Sequence, residues 1–386
     1  MLSVIEKSHL QEVIKLRKIL HAHPELSGNE EQTSRRIKAF LTDNKPDSII
    51  EGLGGYGLAA VYDSGQAGPS VLLRADLDAL PIEEVNGFAH RSQHQGVSHK
   101  CGHDGHMAIL AGMSSLLKKH RPSAGRVILL FQPEEETGQG AAKVIADPKF
   151  KKIKPDYAFA LHNLPGYEKK AIIFKEGSFA SASTGMIIRM QGRSSHAAHP
   201  EQGNSPVNMM TQTMGGLMSL PKNRSDFESF VLLTIIHARL GEVAFGTTPG
   251  KAVVMATLRT YLDDDMLVLK EKSERLVRKL EKELDIQCTI NYVEEFPATI
   301  NHSGVTELVE EAIRKSKAKK LMINEAFRWS EDFGHFLSAT PGALFGIGSG
   351  TDQPSLHNHD YDFPDEIIET GINMFYHITD QLVKYK

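Results

Sequence analysis

The sequence predicts an α/β fold into which a second, smaller α+β domain is inserted, and three features of the chain predict it. Short apolar runs alternate with helical stretches through the first half. A strand–helix–strand–strand–helix–strand series occupies the middle, and the α/β pattern resumes towards the C-terminus.

Taken in order, Val4, Ile5, Leu10, Val13, Ile14 and Leu16 form an apolar stripe among Glu6, Lys7, Glu12, Lys15, Arg17 and Lys18. That spacing predicts an amphipathic helix over Met1–Leu20, not the unbroken apolar core of a signal peptide. Gly57–Tyr62, Val71–Ala75, Val127–Gln132 and Tyr157–Leu161 are short and apolar, as strands covered on both faces are. Helical periodicity fits Glu31–Leu41, Met107–Lys118 and Ala141–Ala146. The alternation predicts a largely parallel sheet. From about Ser178 the order changes: strand Gly185–Gln191, helix Asn208–Leu220, strands Phe230–His237 and Ala252–Tyr261, charged helix Asp264–Leu284, strand Cys288–Val293. This is the order of a ferredoxin-like split βαβ unit. After Phe296 come a helix (Val305–Lys317), a strand (Gly342–Ile347) and a closing helix (Asp365–Lys384). The expected domains are therefore 1–180 and 295–386, forming one catalytic domain, and an inserted domain at 181–294.

Composition narrows the function. A chain of 386 residues buries at least one large core. A net charge of -4 offers no basic surface for nucleic acid or an acidic membrane, and no apolar run is long enough to span a bilayer. Two cysteines, Cys101 and Cys288, exclude a disulfide framework and favour the reducing cytoplasm.

The chemistry concentrates at strand ends. His99-Lys100-Cys101-Gly102-His103-Asp104-Gly105-His106 gathers three imidazoles, a thiol and a carboxylate within eight positions. Thiolate and neutral imidazole are the ligands that Zn²⁺ and its first-row neighbours prefer. Gly102 lets the backbone turn so that Cys101 and His103 face one centre, and a helix starting near Asp104 would favour the thiolate. Glu134, Glu135 and Glu136 follow the apolar strand Val127–Phe131. Adjacent acids repel, so cations are expected beside them. Asp76 and Asp78 follow Val71–Leu73, His162 follows Tyr157–Leu161, and Leu356-His357-Asn358-His359-Asp360 follows the strand at Gly342–Ile347. Sites in open α/β sheets form at the carboxyl ends of strands, which is where these groups fall. A polar loop rich in histidine and a solvated acidic turn are the plain alternatives for any one segment, but not for four together.

With these residues in view, the chain resembles the M20 metallopeptidases, in the branch of aminoacylases, hippurate hydrolases and auxin-conjugate amidohydrolases. The likeness covers nearly the whole chain in order: His21–Leu26, Arg74–Pro81, Lys100–Ala108, Phe131–Glu136, Leu161–Gly166, Gly192–Pro200, Ala256–Thr260, Ser330–Phe333 and Leu356–Phe363. The resemblance implies a pair of divalent ions, Zn²⁺ foremost with Mn²⁺, Co²⁺ or Ni²⁺ as alternatives, held by Cys101, His103, Glu136, His162 and His357. It implies Glu135 as general base, His196 as an oxyanion donor reaching the site on lid closure or from a second subunit, and Arg259 as a clamp for the substrate carboxylate. Asp104 and Asp78 would orient ligand imidazoles or the base from behind, while His99, His106 and His359 would stand beside the ligands. Glu134 replaces a small residue of the family and is expected to be an extra surface acid.

The implied reaction is attack of metal-activated water on an amide, with Glu135 moving the proton to the departing amine. The leading expectation is hydrolysis of a small-molecule N-acyl amino acid. A metal dipeptidase is the alternative, and a catalytically silent ligand-binding relative a third reading, opposed by the intact base and ligands. A zinc nucleobase deaminase is excluded, because its Pro-Cys-x-x-Cys signature is missing. A homo-oligomer through the lid is compatible with the likeness. One departure stands out: Gly246 lies where the family carries a lid Asn, so an amide donor is absent unless Thr247 or Thr248 replaces it.

Overall fold

The computed structural model describes residues 4–386; positions 1–3 of the expected first helix lie outside the described residues. Two compact units divide the chain. The first runs through Phe179 and resumes at Thr299–Glu325 and Asp332–Lys386, and the second comprises Ala180–Ala298 with Ala326–Glu331.

The first unit contains α1 (Lys7–Ala22), α2 (Glu31–Asp43), β1 (Ser48–Leu53), β2 (Gly57–Asp63), β3 (Ser70–Asp76), α3 (His103–Lys119), β4 (Arg126–Gln132), α4 (Gly140–Ala146), β5 (Tyr157–Pro165), β6 (Ile172–Phe174) and β7 (Gly177–Ala180). The second is built from β8 (Ala182–Gln191), α5 (Val207–Ser219), β9 (Val231–Leu240), β10 (Lys251–Thr260), α6 (Asp263–Leu284) and β11 (Gln287–Phe296). The chain then returns with β12 (Thr299–Asn301), α7 (Ser303–Ser316), β13 (Lys320–Met322), α8 (Gly334–Leu337), β14 (Gly342–Gly350) and α9 (Ile368–Val383).

Eight strands of the first unit form one sheet in the order β1-β2-β4-β3-β5-β14-β6-β13. Its centre, β4-β3-β5-β14, is parallel. The pairs β1–β2, β2–β4 and β14–β6 are antiparallel, so the sheet is mixed where the sequence suggested a largely parallel one. The apolar runs of β2 to β5 are buried nearly end to end, and α3 is buried from His103 to Leu117, with residues of α1, α2, α7 and α9 in the same core. A helix without a polar face must be covered all round, and this is why α3 can carry His103, Asp104 and His106 at its buried N-terminal end.

The second unit has a four-stranded antiparallel sheet in the order β11-β8-β10-β9. Numbered within the unit this is 4-1-3-2, the split βαβ arrangement. Met186, Ile188 and Met190 of β8 alternate with less buried residues, as do Ala252, Val254, Ala256 and Leu258 of β10, so one face is a core and the other is open. Among the described residues no helix is long and apolar enough to cross a membrane.

Candidate metal centre

Three parallel strands and one helix end deliver the predicted groups to one place in the first unit. β3 ends at Asp76, two residues before Asp78; β4 leads into the short 3₁₀ turn Glu135–Thr137; and β5 carries His162. The sequence placed His162 just past its strand, whereas β5 continues through it to Pro165. His103 is the first residue of α3, and Gly102 before it sits at φ 93°. A Cβ at Gly102 would fall 2.4 Å from Asn163 Oδ1, so only glycine allows the Cys101–His103 loop to lie against the end of β5.

Cys101, His103 and His162 offer ligand atoms that all lie within 4.8 Å of one another, and so do Cys101, Glu136 and His357, and His103, Glu135 and Glu136. Cys101 Sγ is 3.6 Å from His162 Nε2, and His103 Nε2 is 3.8 Å from Glu136 Oε1. Glu136 Oε1 is 3.9 Å from His357 Nε2. His103 Nδ1 bonds the backbone oxygen of Asp78 at 2.9 Å, and His162 Nδ1 that of Asn163 at 2.9 Å. Each ring therefore turns Nε2 inward with its other nitrogen fixed from behind, as metal-ligating histidines do. His357 is half exposed, at φ 66°, and its N–H donates to the oxygen of Lys100 at 2.8 Å.

The donor set fits a cation. His103 Nε2 and Glu136 Oε1 are buried atoms with no hydrogen-bond partner. With Nδ1 bonded to a carbonyl, Nε2 presents a lone pair to a carboxylate oxygen, and a proton or a cation must lie between them. Burial, with Asp78 and Asp76 nearby, pushes Glu136 up to about 7 against the pull of His103. Burial and Glu136 likewise raise the Cys101 thiol well above its usual range. The helix N-terminus was expected to favour the thiolate, but desolvation and the carboxylate outweigh it. His103 is held protonated well above its usual range: burial disfavours its charge, but Asp76, Cys101 and Asp78 overcome that. The protein alone thus neutralises the cluster with protons, which a bound cation would displace.

Behind these atoms lies a layer that the sequence left unassigned. Asp76 Oδ1 bonds His106 Nδ1 at 2.8 Å, and His106 Nε2 meets Asn163, whose Nδ2 donates to the Tyr361 hydroxyl at 2.6 Å. Arg74 donates to Asp76 and Asp332 at 2.7 Å each. Asp76, His103 and His106 form a further group able to hold an ion. The visible signal was that Arg74 and Asp76 continue an apolar strand, a place where charge survives only when paired.

Asp78 touches two of the clustered residues: Oδ1 lies 3.5 Å from His103 Nδ1 and Oδ2 accepts the N–H of Glu136 at 3.0 Å. Asp104 does not orient a ligand imidazole. Its Oδ2 pairs with His21 Nδ1 at 2.9 Å and Arg17 Nη1 at 3.2 Å, because α3 turns residue 104 away from residue 103 towards α1. His99 is fully buried with neither ring nitrogen bonded, and burial lowers it to about 4. His359 bonds the oxygen of Glu83. Glu134 is not a free surface acid: it is mostly buried, at φ 54°, and pairs with Lys143 at 2.6 Å.

His196 and Arg259 belong to the second unit. His196 is exposed and its Nδ1 accepts the N–H of Ala198 at 3.0 Å. Arg259, on β10, donates to the oxygen of Arg328 at 2.8 Å and to Ser330 Oγ at 2.9 Å. No carboxylate pairs with it among the described residues. At Gly246 a Cβ would meet nothing within 4 Å, so space does not demand glycine there. Thr248 is already engaged with the N–H and hydroxyl of Ser195 at 2.7 and 2.9 Å, which leaves the exposed Thr247 as the uncommitted hydroxyl. A groove of about 910 Å³ on the open face of this sheet, between Arg189, His237, Lys251 and Gln287, contains none of the predicted residues.

Known proteins resemble this one along its length. The profile of peptidase family M20/M25/M40 matches residues 72–381. An N-acetyl-L-cysteine deacetylase of Bacillus subtilis (strain 168) is 31% identical over 366 residues, covering 92% of this chain and 84% of that protein. Among solved structures, a Bacillus subtilis protein described as a dinuclear metal binding peptidase from the M20 family superposes with a TM-score of 0.84 at 24% identity, covering 98% and 99% of the two chains. An aminobenzoyl-glutamate utilization protein from Klebsiella pneumoniae gives a TM-score of 0.72 at 16% identity, covering 96% of each. Both structural likenesses speak for the fold.

Proposed function

Because this chain belongs to peptidase family M20/M25/M40, we propose that it hydrolyses the amide bond of N-acyl amino acids, releasing a carboxylic acid and a free amino acid. It is an amide-bond hydrolase with a small-molecule substrate. The observation that carries the reading is the cluster of Cys101, His103, Glu136, His162 and His357 around orphaned, inward-facing atoms, with Glu135 on its rim.

We assign those five residues to a pair of divalent ions, with Zn²⁺ favoured by the thiol and three imidazoles and Mn²⁺, Co²⁺ or Ni²⁺ as alternatives. When bound, the ions would polarise the amide carbonyl and lower the pKa of a water to about 7. Glu135 takes the proton of the attacking water and hands it to the departing nitrogen, a transfer a carboxylate can make in both directions. Both acids lie near His103, Glu135 Oε2 at 3.9 Å and Glu136 Oε1 at 3.8 Å, and Glu136 Oε1 also lies 3.9 Å from His357, which suits Glu136 to binding and leaves proton transfer to Glu135. By family resemblance His196 donates to the developing oxyanion. Arg259 receives the substrate carboxylate, a task its planar fork and lack of a carboxylate partner suit. Two free cysteines support a reducing, cytoplasmic setting.

A panel of N-acetyl amino acids, N-benzoyl amino acids and dipeptides, each assayed with Zn²⁺ and with Mn²⁺, tests the reading. Cleavage of N-acyl amino acids well above dipeptides is expected. Dipeptide cleavage alone would favour the peptidase alternative, and no cleavage by metal-loaded protein would overturn both.

A further inference from the structure

The segment His21–Glu31, whose first part, His21–Leu26, belongs to the family resemblance, has no residue in the chemistry assigned above. Two of its side chains reach the turn that carries Glu135. Glu30 is wholly buried, and its Oε1 accepts the N–H of Glu134 at 2.9 Å and that of Gly28 at 2.9 Å. Ser27 donates its hydroxyl to Asp78 Oδ2 at 2.6 Å, and the same oxygen accepts the N–H of Glu136 at 3.0 Å. The amides on both sides of Glu135 are therefore fixed by oxygens that depend on one loop. That loop is itself tied down: Ala79 N–H donates to the oxygen of Glu25, and the Glu25 carboxylate accepts the N–H and hydroxyl of Thr33 in α2.

Stability alone does not account for Glu30. Its Oε2 is buried with no hydrogen-bond partner, and an unmet buried acceptor costs about 1–3 kcal/mol. Glu134, which Glu30 holds, sits at φ 54°. A non-glycine residue persists there only where its surroundings over-determine it. A buried, half-satisfied acid that holds a left-handed residue next to a proton-transfer group is better explained by that group than by the core.

We propose that Glu30 is a positioning residue for Glu135, acting with the Ser27–Asp78 pair as a two-point clamp on the turn that aims the base. The proposal rests on the reading of Glu135 as base. The clamp works through oxygen lone pairs: Glu30 Oε1 accepts both N–H groups, and an amide oxygen at this position can accept them too. A small displacement of a proton-transfer group can cost up to ~100-fold in rate.

The test compares Glu30→Ala with Glu30→Gln in the metal-loaded enzyme, using the N-acyl amino acid that wild type cleaves best. Glu30→Ala is expected to lower kcat by ~10- to 100-fold while KM and metal content stay within about twofold. Glu30→Gln is expected to recover most of the loss, and Glu30→Ala to add nothing in a Glu135→Gln background. Unchanged kcat in Glu30→Ala overturns the clamp. So does a loss that tracks metal content, or one that persists undiminished without Glu135. If Glu30→Ala does not fold, Ser27→Ala decides: a fall in kcat at constant KM and metal content supports the clamp, and unchanged kcat overturns it. Wild type inactive on every amide tested, or a fully active Glu135→Gln, would overturn the underlying reading instead.

Discussion

His21 offers a sharp test of how the metal-loop segment is held. Its ring is fully buried between two acids, with Nδ1 2.9 Å from Asp104 Oδ2 and Nε2 3.0 Å from Glu84 Oε1. Glu84 also receives Lys100 Nζ at 2.5 Å, which ties α1 to the residues on either side of Cys101 and His103. Burial alone would lower the pKa of His21, but Asp104 and Glu84 overcome it and hold it at about 9. The unfolded value is about 6.5. A raised folded pKa contributes stability that is complete below about 6.5 and disappears as pH rises through about 9. The shift corresponds to on the order of 3 kcal/mol at about 1.4 kcal/mol for each pH unit. In a unit of this size that is about 5–10 °C in Tm. The perturbation is His21→Gln, which keeps polarity and removes the charge. Thermal unfolding by circular dichroism at pH 6 and pH 9.5 would measure it, with fluorescence of the single tryptophan, Trp329, following the second unit separately. The Tm of the variant should lie well below wild type at pH 6, and the gap should close at pH 9.5. A gap that is equal at both pH values would refute a charged His21 and leave only lost packing.

The other predictions concern turnover and metal. Glu135→Gln should keep its metal and lose about 10²–10⁴-fold in kcat, measured by amine release beside elemental analysis; a variant within tenfold of wild type would remove Glu135 from proton transfer. His103→Ala or Cys101→Ala should lose bound metal on dialysis, and a stoichiometry equal to wild type would exclude the residue from the centre. Arg259→Ala should raise KM for an N-acyl amino acid by about 10- to 100-fold, the worth of a charge-assisted hydrogen bond. It should leave the matching N-acyl amino amide little changed, and Arg259→Lys should not restore binding. Equal effects on acid and amide substrates would refute the clamp on the carboxylate.

Most elements were legible because their periodicity spans several turns or an unbroken apolar run. The amphipathic pattern of α6 and the apolar core of β4 are cases in point. β1 was missed because its six residues are half exposed and include Gly52. β6, β12 and β13 have three residues each, too few for any period to register. Strand direction was misjudged since apolar runs report burial, not pairing sense: β2 is as buried as β3 but runs antiparallel to β4. The site's composition was readable because thiol, imidazole and carboxylate announce themselves by type. Its backing was not. Asp76 of β3 meets His106 of α3 across thirty positions, and Asn163 of β5 meets Tyr361 of a loop across 198, contacts of tertiary packing that no local pattern encodes. Asp104 was misassigned because neighbours on a helix point about 100° apart, which turns Asp104 from His103 towards His21 and Arg17.

The electrostatics explain why so many acids can share this end of the sheet. Asp76, Asp78, Glu135, Glu136 and Asp332 are all buried or nearly so, and Cys101 adds a thiol. Facing them are Arg74, bonded to both Asp76 and Asp332, and the imidazoles of His103 and His106. Hydrogen bonds lighten the load for some: Asp332 accepts from Gln132 and the N–H of Ala141, and Asp78 from Ser27 and Glu136. Burial raises the Asp78 carboxyl, but His103, Ser27 and the Glu136 N–H outweigh it and hold it below its usual range. Glu136 Oε1 has no hydrogen-bond donor, and the pKa values of Glu136 and Cys101 are raised. Asp76 and Asp332 are thus held by framework donors, while Glu136 Oε1 and Asp78 Oδ1, on the side of His103, are buried without a hydrogen-bond partner. Such an arrangement is poor for the bare fold, because buried anions need partners, and favourable once positive charge enters. The unmet demand includes Glu136 Oε1 and His103 Nε2, the atoms turned to the centre, which is why the cluster reads as a cation site and not as an acidic turn.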